Sequence, residues 1–328
     1  MPGRGRLSFR RRAAHVRRLS RSSTPPARRA LTSPRPLFGF ALIVAAAMTW
    51  GTTGATMKLV ARDSPMSPLL IGFFRVAIAA PCLLLAARGL GGSLARPRGR
   101  DRGRLLVAGL AMGGYQVCYF YGVAKTSVAV GALIAICSAP LMITGLAAAL
   151  LGERVTAVTT LALALGVTGA ALLTVGPHEF GAFPPDFLGG ITLALGAGLC
   201  YAVYAVVVKA AVARMPPLSV AALTFSVAAI ALAPTLALEP VVAGPRAWVL
   251  LAYLGIVPTA LAYILYVTGL RSTPVGVSGV LALVEPLTAT LLGVVVFGDR
   301  LGWPGAVGAA LLLGAVLLLA ERERRARG

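Results

Sequence analysis

The sequence contains few histidines, cysteines and acidic residues, and these scarcities exclude several kinds of site. Its two histidines, His15 and His178, both fall in polar segments, so no long apolar segment can hold a two-histidine metal site. The four cysteines have no CxxC spacing, and neither a disulfide nor a metal centre is indicated. There is no GxxxxGK(S/T) pattern, which argues against an ATP-driven pump within this chain. We expect no metal and no cofactor.

Charged residues are scarce as well, at 12% of the chain against 58% hydrophobic residues. A soluble domain with a hydrated surface does not have this composition. Apolar runs long enough to cross a bilayer recur from Leu37 to Ala320, without the period-two alternation of a membrane β-barrel. The sequence therefore predicts an all-α, polytopic membrane protein with ten transmembrane helices. The predicted spans are 37–59, 68–87, 104–124, 127–151, 155–175, 187–209, 218–238, 247–270, 274–297 and 303–320.

The net charge of +21 is concentrated in three segments. The arm 1–36 has eleven arginines and no acidic residue, the loop 88–104 has six arginines, and the tail 321–328 has four. Because lysine and arginine accumulate in short cytoplasmic loops, both termini are predicted to be cytoplasmic. These arginines are expected to contact membrane lipids, and no nucleic-acid partner is expected. We expect the arm to be disordered. The Arg-, Ala- and Gly-rich composition indicates a GC-rich bacterium, and hence its inner (cell) membrane.

An internal repeat relates the two halves of the chain. Residues 121–154 align without a gap with residues 267–300, at an offset of 146, and residues 49–58 align more weakly with 200–209. Each half has five predicted spans, and this odd number reverses the direction in which the second half enters the membrane. The repeats are therefore predicted to be inverted, an architecture that opens a midplane site alternately to either side. The matched pairs include Lys58 with Lys209, Lys125 with Arg271, Pro140 with Pro286, Glu153 with Asp299, and Arg154 with Arg300.

Short motifs in the same order in both halves resemble the drug/metabolite transporter superfamily, with two EamA-type domains. The residues that carry the resemblance are Trp50-Gly51, Phe74-Arg75, Thr126-Ser127, Pro140 and Leu151-Gly152-Glu153-Arg154 in the first half, and Ser272-Thr273, Glu285-Pro286 and Gly298-Asp299-Arg300 in the second. The resemblance implies ten helices, a central cavity and export or uptake of small metabolites. It divides the chain into a first repeat (37–175), an external loop (176–186), a second repeat (187–320) and a cytoplasmic tail (321–328). Asp299 stands where the family usually has Glu.

Glu285 lies about eleven residues into its predicted span, where a charged carboxylate costs on the order of 3 kcal/mol. It can be protonated, which would suit proton coupling, or it can bind a substrate ammonium group. It can instead pair with Arg75, or form a static hydrogen bond between helices. Arg75 in turn can pair with Glu285 or extend partway to the headgroups.

Pro140 and Pro286 lack an N–H group and leave the carbonyls of Ile136 and Ala282 without a helical partner, so both helices are predicted to kink near the bilayer midplane. Neighbouring polar groups can satisfy these carbonyls, or the carbonyls can contact substrate. The pairing of the two prolines across the repeat favours a hinge function.

Polar tips on otherwise apolar side chains are candidates for the wall of a substrate cavity. Ser278, Glu285 and Thr288 share one helical face, and Trp50 either packs inside the protein or forms part of the wall. Tyrosines at helical spacing more often pack in a core when taken singly. The candidate cavity residues are Thr49, Trp50, Thr53, Arg75, Tyr115, Tyr119, Tyr201, Tyr204, Tyr263, Ser278, Glu285 and Thr288, with Gln116, Thr259 and Tyr266 as further polar tips.

Two charged pairs, Glu153-Arg154 and Asp299-Arg300, fall at span ends on opposite sides of the predicted topology. They are either solvated ion pairs and helix-end partners, or a gate that forms on one side while its mirror breaks.

The sequence thus predicts a secondary active transporter that exports a small metabolite, such as an amino acid or a drug, by alternating access. A membrane-embedded enzyme is one alternative. It would need a nucleophile with a base, two aspartates or metal ligands, whereas the predicted spans hold one Glu, no Asp and no His. A passive pore is the other alternative, although no ring of charges or filter loop is visible.

Overall fold

The computed structural model describes residues 36–90, 94–126, 128–174, 186–298 and 302–325. Within these ranges there are ten helices long and apolar enough to cross a membrane, and no strand, which confirms the predicted all-α class. The helices are α1 (Leu37–Asp63), α2 (Pro68–Gly89), α3 (Arg100–Lys125), α4 (Val130–Leu151), α5 (Ala157–Thr174), α6 (Phe187–Val212), α7 (Pro217–Ala237), α8 (Pro245–Gly269), α9 (Val275–Val296) and α10 (Trp303–Arg325).

Three helices extend at least four residues beyond their predicted bounds at one end. Helix α1 continues to Asp63, α3 already begins at Arg100, and α10 continues to Arg325. Hydropathy marks the part of a helix that lies in hydrocarbon, whereas backbone hydrogen bonds carry the helix on into the headgroup region. The predicted tail 321–328 therefore begins as helix, and Glu321 pairs with Arg325 one turn later at 2.9 Å.

Three of the central helices are irregular near their middles. Helix α1 has a turn at Gly51, α8 contains a π-helical segment, and α9 is interrupted at Leu283. The regular segments of these helices are Pro36–Trp50 and Thr52–Asp63 in α1, Pro245–Gly255 and Ala262–Gly269 on either side of the π-helical Ile256–Leu261 in α8, and Val275–Ala282 and Val284–Phe297 in α9.

The interruption of α9 follows from Pro286. This proline cannot donate to the carbonyl of Ala282, and the first segment of α9 ends at that residue. The N–H of Leu283 instead bonds the carbonyl of Val280 at 3.1 Å, a tighter turn. By contrast, α4 is one uninterrupted helix through Pro140. The two prolines that match in the repeat therefore have different local effects.

Most of the packing joins a helix of one half to a helix of the other. Helix α2 packs against α7, α4 against α9, and α5 against α10. Helix α3 of the first half contacts α6 and α7, and its counterpart α8 of the second half contacts α1 and α2. In the same way, α4 contacts α6, and its counterpart α9 contacts α1. Exchanging the first five helices with the last five thus maps this pattern of contacts onto itself.

Candidate functional site

A cluster of aromatic rings lies where α1, α3, α6 and α8 meet. Trp50 of α1 lies against Tyr263 and Tyr266 of α8, with ring centroids 5.2 and 5.3 Å apart. It meets Tyr201 of α6 edge-on at 6.3 Å. Trp50 and Tyr201 occupy matching positions of the weaker repeat alignment, so the two halves contribute one ring each to this contact.

The cluster extends to α3 through two further tyrosines. Tyr115 and Tyr119 stack with centroids 5.8 Å apart, and Tyr115 lies 5.8 Å from Tyr201. Tyr204, fully buried, lies 5.7 Å from Tyr263. The aromatic residues that the sequence predicts for the cavity wall therefore lie in one continuous cluster, together with Tyr266, one of the further polar tips.

Several polar atoms of this region are buried without a hydrogen-bond partner among the described residues. They include Nε1 of Trp50, the hydroxyls of Tyr201 and Tyr204, and both polar side-chain atoms of Gln116. A buried donor or acceptor without a partner costs roughly 1–3 kcal/mol. The region is thus well suited to a ligand or water that supplies these hydrogen bonds.

Glu285 of α9 lies beside the aromatic cluster. Its side chain is partly accessible, and it interacts electrostatically with Tyr115, Tyr119 and Arg75. Its carboxyl oxygens nevertheless form no hydrogen bond or ion pair with any described residue. Two of the predicted alternatives, a direct pair with Arg75 and a static hydrogen bond between helices, are therefore not found in the described part of the chain.

Arg75 is held by the π-helical segment of α8. Its Nε donates to Oγ1 of Thr259 at 2.9 Å, and that hydroxyl donates to the carbonyl of Leu254 at 2.7 Å. In a regular helix the N–H of residue 258 would bond that carbonyl, but Pro258 has no N–H. Arg75 is also buried, with 8% of its surface exposed, so its side chain packs inside the protein. A direct pair with Glu285 is not found in the described part of the chain, and partial extension towards the headgroups stays a prediction.

Of the remaining predicted cavity residues, Thr49, Ser278 and Thr288 have local partners and Thr53 does not. Thr49 and Thr288 bond carbonyls of their own helices at 2.7 and 3.2 Å. Ser278 bonds the carbonyl of Val275 and lies 3.3 Å from the hydroxyl of Tyr266. The hydroxyl of Thr53 is buried without a partner among the described residues.

Gly51 allows α1 to approach α9 at Glu285. A Cβ atom at this position would lie 2.6 Å from Cβ of Thr288 and 2.7 Å from the carbonyl oxygen of Glu285. Only a residue without a side chain fits there, and this close approach brings Trp50 next to the helix that carries Glu285.

A second group of contacts, which we call the turn clamp, consists of Glu153, Lys209 and the turn 270–276 between α8 and α9. The two carboxylate oxygens of Glu153 accept the N–H groups of Val275 and Gly276 at 2.8 and 3.1 Å. The ammonium group of Lys209 donates to the carbonyls of Leu270 and Thr273 at 2.6 and 2.7 Å.

The charges of the turn clamp match the helix ends that they bind. The acid lies at the N-terminus of α9, and the amine lies at the C-terminal end of α8, where each complements unpaired backbone groups and the helix dipole. Gly152 adopts a φ of 68°, a left-handed conformation that favours glycine, immediately before Glu153. Glu153 is therefore a helix-end partner, as one of the two sequence alternatives proposed.

Polar contacts also join the loops between other helices. Lys125 pairs with Asp186 at 2.8 Å, and this hydrogen bond lowers the pKa of the exposed Asp186 carboxyl. Glu239 accepts hydrogen bonds from the backbone N–H and the hydroxyl of Ser67, at the start of α2. The sequence did not point to Glu239. Ser127, Asp299, Arg300, the arm 1–35 and the loop 175–185 lie outside the described residues.

Comparison with known proteins identifies the chain. The model of the EamA-like transporter family matches residues 37–175 and 188–320. The chain belongs to this family. It is a multi-pass membrane transporter of the drug/metabolite type, as its motifs predict.

Several relatives of this EamA transporter carry transporter names. The chain is 33% identical to the uncharacterized transporter YwfM of Bacillus subtilis (strain 168), over 86% of this chain and 94% of that protein. It is 28% identical to a probable terminal-alkyne amino-acid exporter of Streptantibioticus cattleyicolor, over 76% and 82% of the two chains. It is also 28% identical to the aromatic amino acid exporter YddG of Ancylobacter novellus, over 65% and 74%.

The fold is also similar to that of a solved crystal structure. The two superpose with a TM-score of 0.76 at 24% sequence identity, over 88% of this chain and 99% of the other. At this identity the similarity establishes the fold alone.

Proposed function

We propose that this EamA transporter exports amino acids or related zwitterions with an apolar or aromatic side chain, by alternating access and in exchange for protons. The observation that carries the proposal is the carboxyl group of Glu285, which lies beside the aromatic cluster, is partly accessible and has no partner among the described residues. An isolated carboxylate at this depth requires a proton or a cation. The ammonium group of an amino acid is such a cation.

Arg75 is the matching group for the substrate carboxylate. Its Nε is used by Thr259, while its terminal N–H groups form no hydrogen bond with the described residues. A guanidinium group binds a carboxylate through a planar pair of N–H groups. Fixing one nitrogen to Thr259 orients the others in advance, which reduces the entropy lost on binding.

The aromatic cluster is the proposed wall for the substrate side chain. Rings from α1, α3, α6 and α8 form apolar faces, and unsatisfied polar atoms lie at their edges. Sites of this composition are typical of small-molecule pockets. Two relatives are named as amino-acid exporters, which supports the substrate class and the direction of transport.

Proton coupling follows from competition at Glu285. The carboxyl group can hold a proton or the substrate ammonium, but not both at once. Substrate release outside therefore allows protonation, and deprotonation inside allows the next substrate to bind. One proton enters for each zwitterion that leaves.

Two inverted repeats of five helices, 37–175 and 187–320, would supply the alternating access. The contact pattern that maps onto itself when the halves are exchanged supports such a pair. The arginine-rich segments support placing both termini in the cytoplasm, and the bacterial relatives support an inner-membrane location. In this orientation the turn clamp lies at the cytoplasmic end.

The turn clamp is the proposed cytoplasmic gate. The repeat pairs Lys209 with Lys58 and Glu153 with Asp299, so the same contacts can form around residues 124–130 at the external end. Arg154 follows Glu153 of the cytoplasmic clamp, and Arg300 follows Asp299 of the external one. Each clamp opens in turn as the site changes sides. Glu153→Gln retains only one acceptor oxygen, and we expect it to increase cytoplasmic labelling of a cysteine placed at Thr144. Labelling no faster than with Glu153 intact would contradict the gate.

The coupling proposal is tested by amino-acid efflux from proteoliposomes with and without an inward proton gradient. We expect the gradient to accelerate efflux by the wild type and to have no effect on Glu285→Gln. Glu323→Gln removes a carboxylate near the end of α10 and is the matched control, expected to behave as the wild type. If efflux by the wild type did not respond to the proton gradient, the proposal that Glu285 couples transport to protons would be contradicted.

The same vesicles separate a carrier from a passive pore. A carrier saturates with substrate and shows accelerated exchange when substrate is present on both sides. Flux that rises linearly with concentration, without acceleration by exchange, would favour the pore.

A further inference from the structure

A cavity of about 320 Å³ lies between α4, α5, α9 and α10, and it shares no residue with the aromatic cluster or with Glu285 and Arg75. Arg154, Thr156, Thr159 and Arg322 line it where these helices end. Thr144 also lines it, seven residues before the end of α4 at Leu151. The cavity thus extends roughly 10 Å along α4, at about 1.5 Å per residue.

The cavity has two arginines with unused hydrogen-bond donors. Arg154 is exposed and forms no hydrogen bond or ion pair with any described residue. Arg322 donates one N–H, from Nη1, to the hydroxyl of Thr159 at 2.8 Å, which fixes its guanidinium group at the wall. Four further N–H groups remain on Arg322.

The one acidic residue that lines the cavity is already occupied. Both carboxylate oxygens of Glu153 accept N–H groups at the N-terminus of α9, where the helix dipole offsets their negative charge. Two guanidinium groups facing one neutralised carboxylate leave a site for an anion.

We infer that this cavity binds a phosphate group, and that in the membrane the group belongs to the headgroup of an anionic phospholipid. Two arginines supply the donors that a phosphate requires, together with one of the hydroxyls of Thr156 and Thr159, which lie 3.1 Å apart and share one hydrogen bond. Basic pockets between transmembrane helices, at the level of the headgroups, bind anionic lipids in this way.

The depth of the cavity favours a lipid over free phosphate. The arginines lie at or beyond the ends of helices, whereas Thr144 lies seven residues inside the apolar α4. A headgroup phosphate would bind between the arginines, and the glycerol backbone would occupy the deeper part. Inorganic phosphate would fill only the outer part.

The inference is tested by thermal unfolding of the purified full chain in a neutral detergent, titrated with phosphatidylglycerol, phosphatidylcholine or inorganic phosphate. We expect phosphatidylglycerol to raise the melting temperature saturably and phosphatidylcholine to have little effect. In Arg154→Gln/Arg322→Gln the rise should be lost. In Arg154→Gln alone the half-saturating concentration should increase about tenfold, since a hydrogen bond to a charged group contributes on that order.

The matched control is Arg88→Gln/Arg214→Gln, which removes two exposed arginines elsewhere and should retain the response to phosphatidylglycerol. If the double variant at the cavity does not fold, the single variant Arg154→Gln decides the question, because Arg154 forms no bond with any described residue that the substitution could remove. An equal response in the variants and the wild type, or an equal effect of phosphatidylcholine, would overturn the site. Stabilisation by inorganic phosphate that phosphatidylglycerol does not increase would support a phosphate site and overturn the lipid as its occupant.

This experiment measures binding without transport. A negative result would therefore leave the proposed export function untouched. In the same way, a negative transport experiment would leave the proposed lipid site untouched.

Discussion

Glu285 and Arg75 have opposite charges and belong to the same region, yet each is held differently. Arg75 is fixed by Thr259, because Pro258 leaves a carbonyl that the threonine hydroxyl takes up. Glu285 has no partner among the described residues. A direct pair between the two would satisfy both charges and leave nothing for a substrate. Their separation is what makes the region suited to a zwitterion.

Substitution of Arg75 tests recognition of the substrate carboxylate. Arg75→Gln should increase the half-saturating concentration for an aromatic amino acid by about tenfold to a hundredfold, the range expected for a lost charge-assisted hydrogen bond. The decarboxylated amine of the same amino acid lacks the carboxylate and should be affected much less. The measurement is competition with amino-acid efflux in proteoliposomes.

Arg246→Gln is the control, because this exposed arginine pairs with Asp63 away from the aromatic cluster. Equal weakening of the amino acid and the amine by Arg75→Gln would show that Arg75 supports the site structurally rather than binding a carboxylate.

At the level of the helices, the irregular segments of α1, α8 and α9 all lie next to the candidate site. The π-helical segment of α8 holds Arg75, the interruption of α9 lies two residues before Glu285, and the turn at Gly51 follows Trp50. Regular helices would place these side chains on different faces. Irregular backbone at this depth is tolerated where it lines a cavity or is buried in protein.

The two prolines of the repeat should differ in their contribution to movement. Pro286→Ala supplies an N–H for the carbonyl of Ala282, so α9 can become continuous. We expect slower transport with an unchanged or higher melting temperature, because proline inside a regular helix costs about 3 kcal/mol. Pro140→Ala should slow transport less, since α4 is already continuous. Efflux rate and thermal unfolding measure the two effects.

Unchanged transport by Pro286→Ala, with the protein folded, would show that the break in α9 is not a hinge. If both substitutions slowed efflux equally, both repeats would contain a hinge, even though α4 is a continuous helix.

For the molecule as a whole, the packing of each half against the other explains why neither half is an independent bundle. Helices α2 and α7, α4 and α9, and α5 and α10 each pair across the halves. The proposed site lies among helices of both halves, so in the proposed mechanism movement of one half relative to the other would change access to it from either side.

The proposed inverted repeats predict that matching positions lie on opposite sides of the membrane. In a background without the four native cysteines, single cysteines at Thr126 and Ser272 should react with a membrane-impermeant reagent from opposite sides of the membrane. We expect Thr126→Cys to react in intact cells and Ser272→Cys only in inside-out vesicles. Reaction of both from the same side would rule out inverted repeats.

The short motifs of the two halves predicted the family, whereas length and polarity along the chain were enough to predict the all-α class and most helix ends. These features depend on local composition, because a helix must match the bilayer thickness wherever it lies. The sequence also predicted the aromatic residues of the cluster, since tyrosines with a polar hydroxyl on an apolar ring recur at helical spacing in several spans.

The sequence did not predict the helix ends at Asp63, Arg100 and Arg325, because hydropathy does not report backbone hydrogen bonds.

The partners of the charged residues depended on which helices meet. Nothing in the sequence joins Arg75 to Thr259 or Glu153 to the start of α9, because residues 184 and 122 positions apart come together only in the folded chain. The same holds for Glu285, whose lack of a partner is a property of its surroundings. The polarity of each residue can be read from the sequence, whereas its partner is set by packing. In this transporter the packing of the two halves against each other determines which charged side chains have a partner.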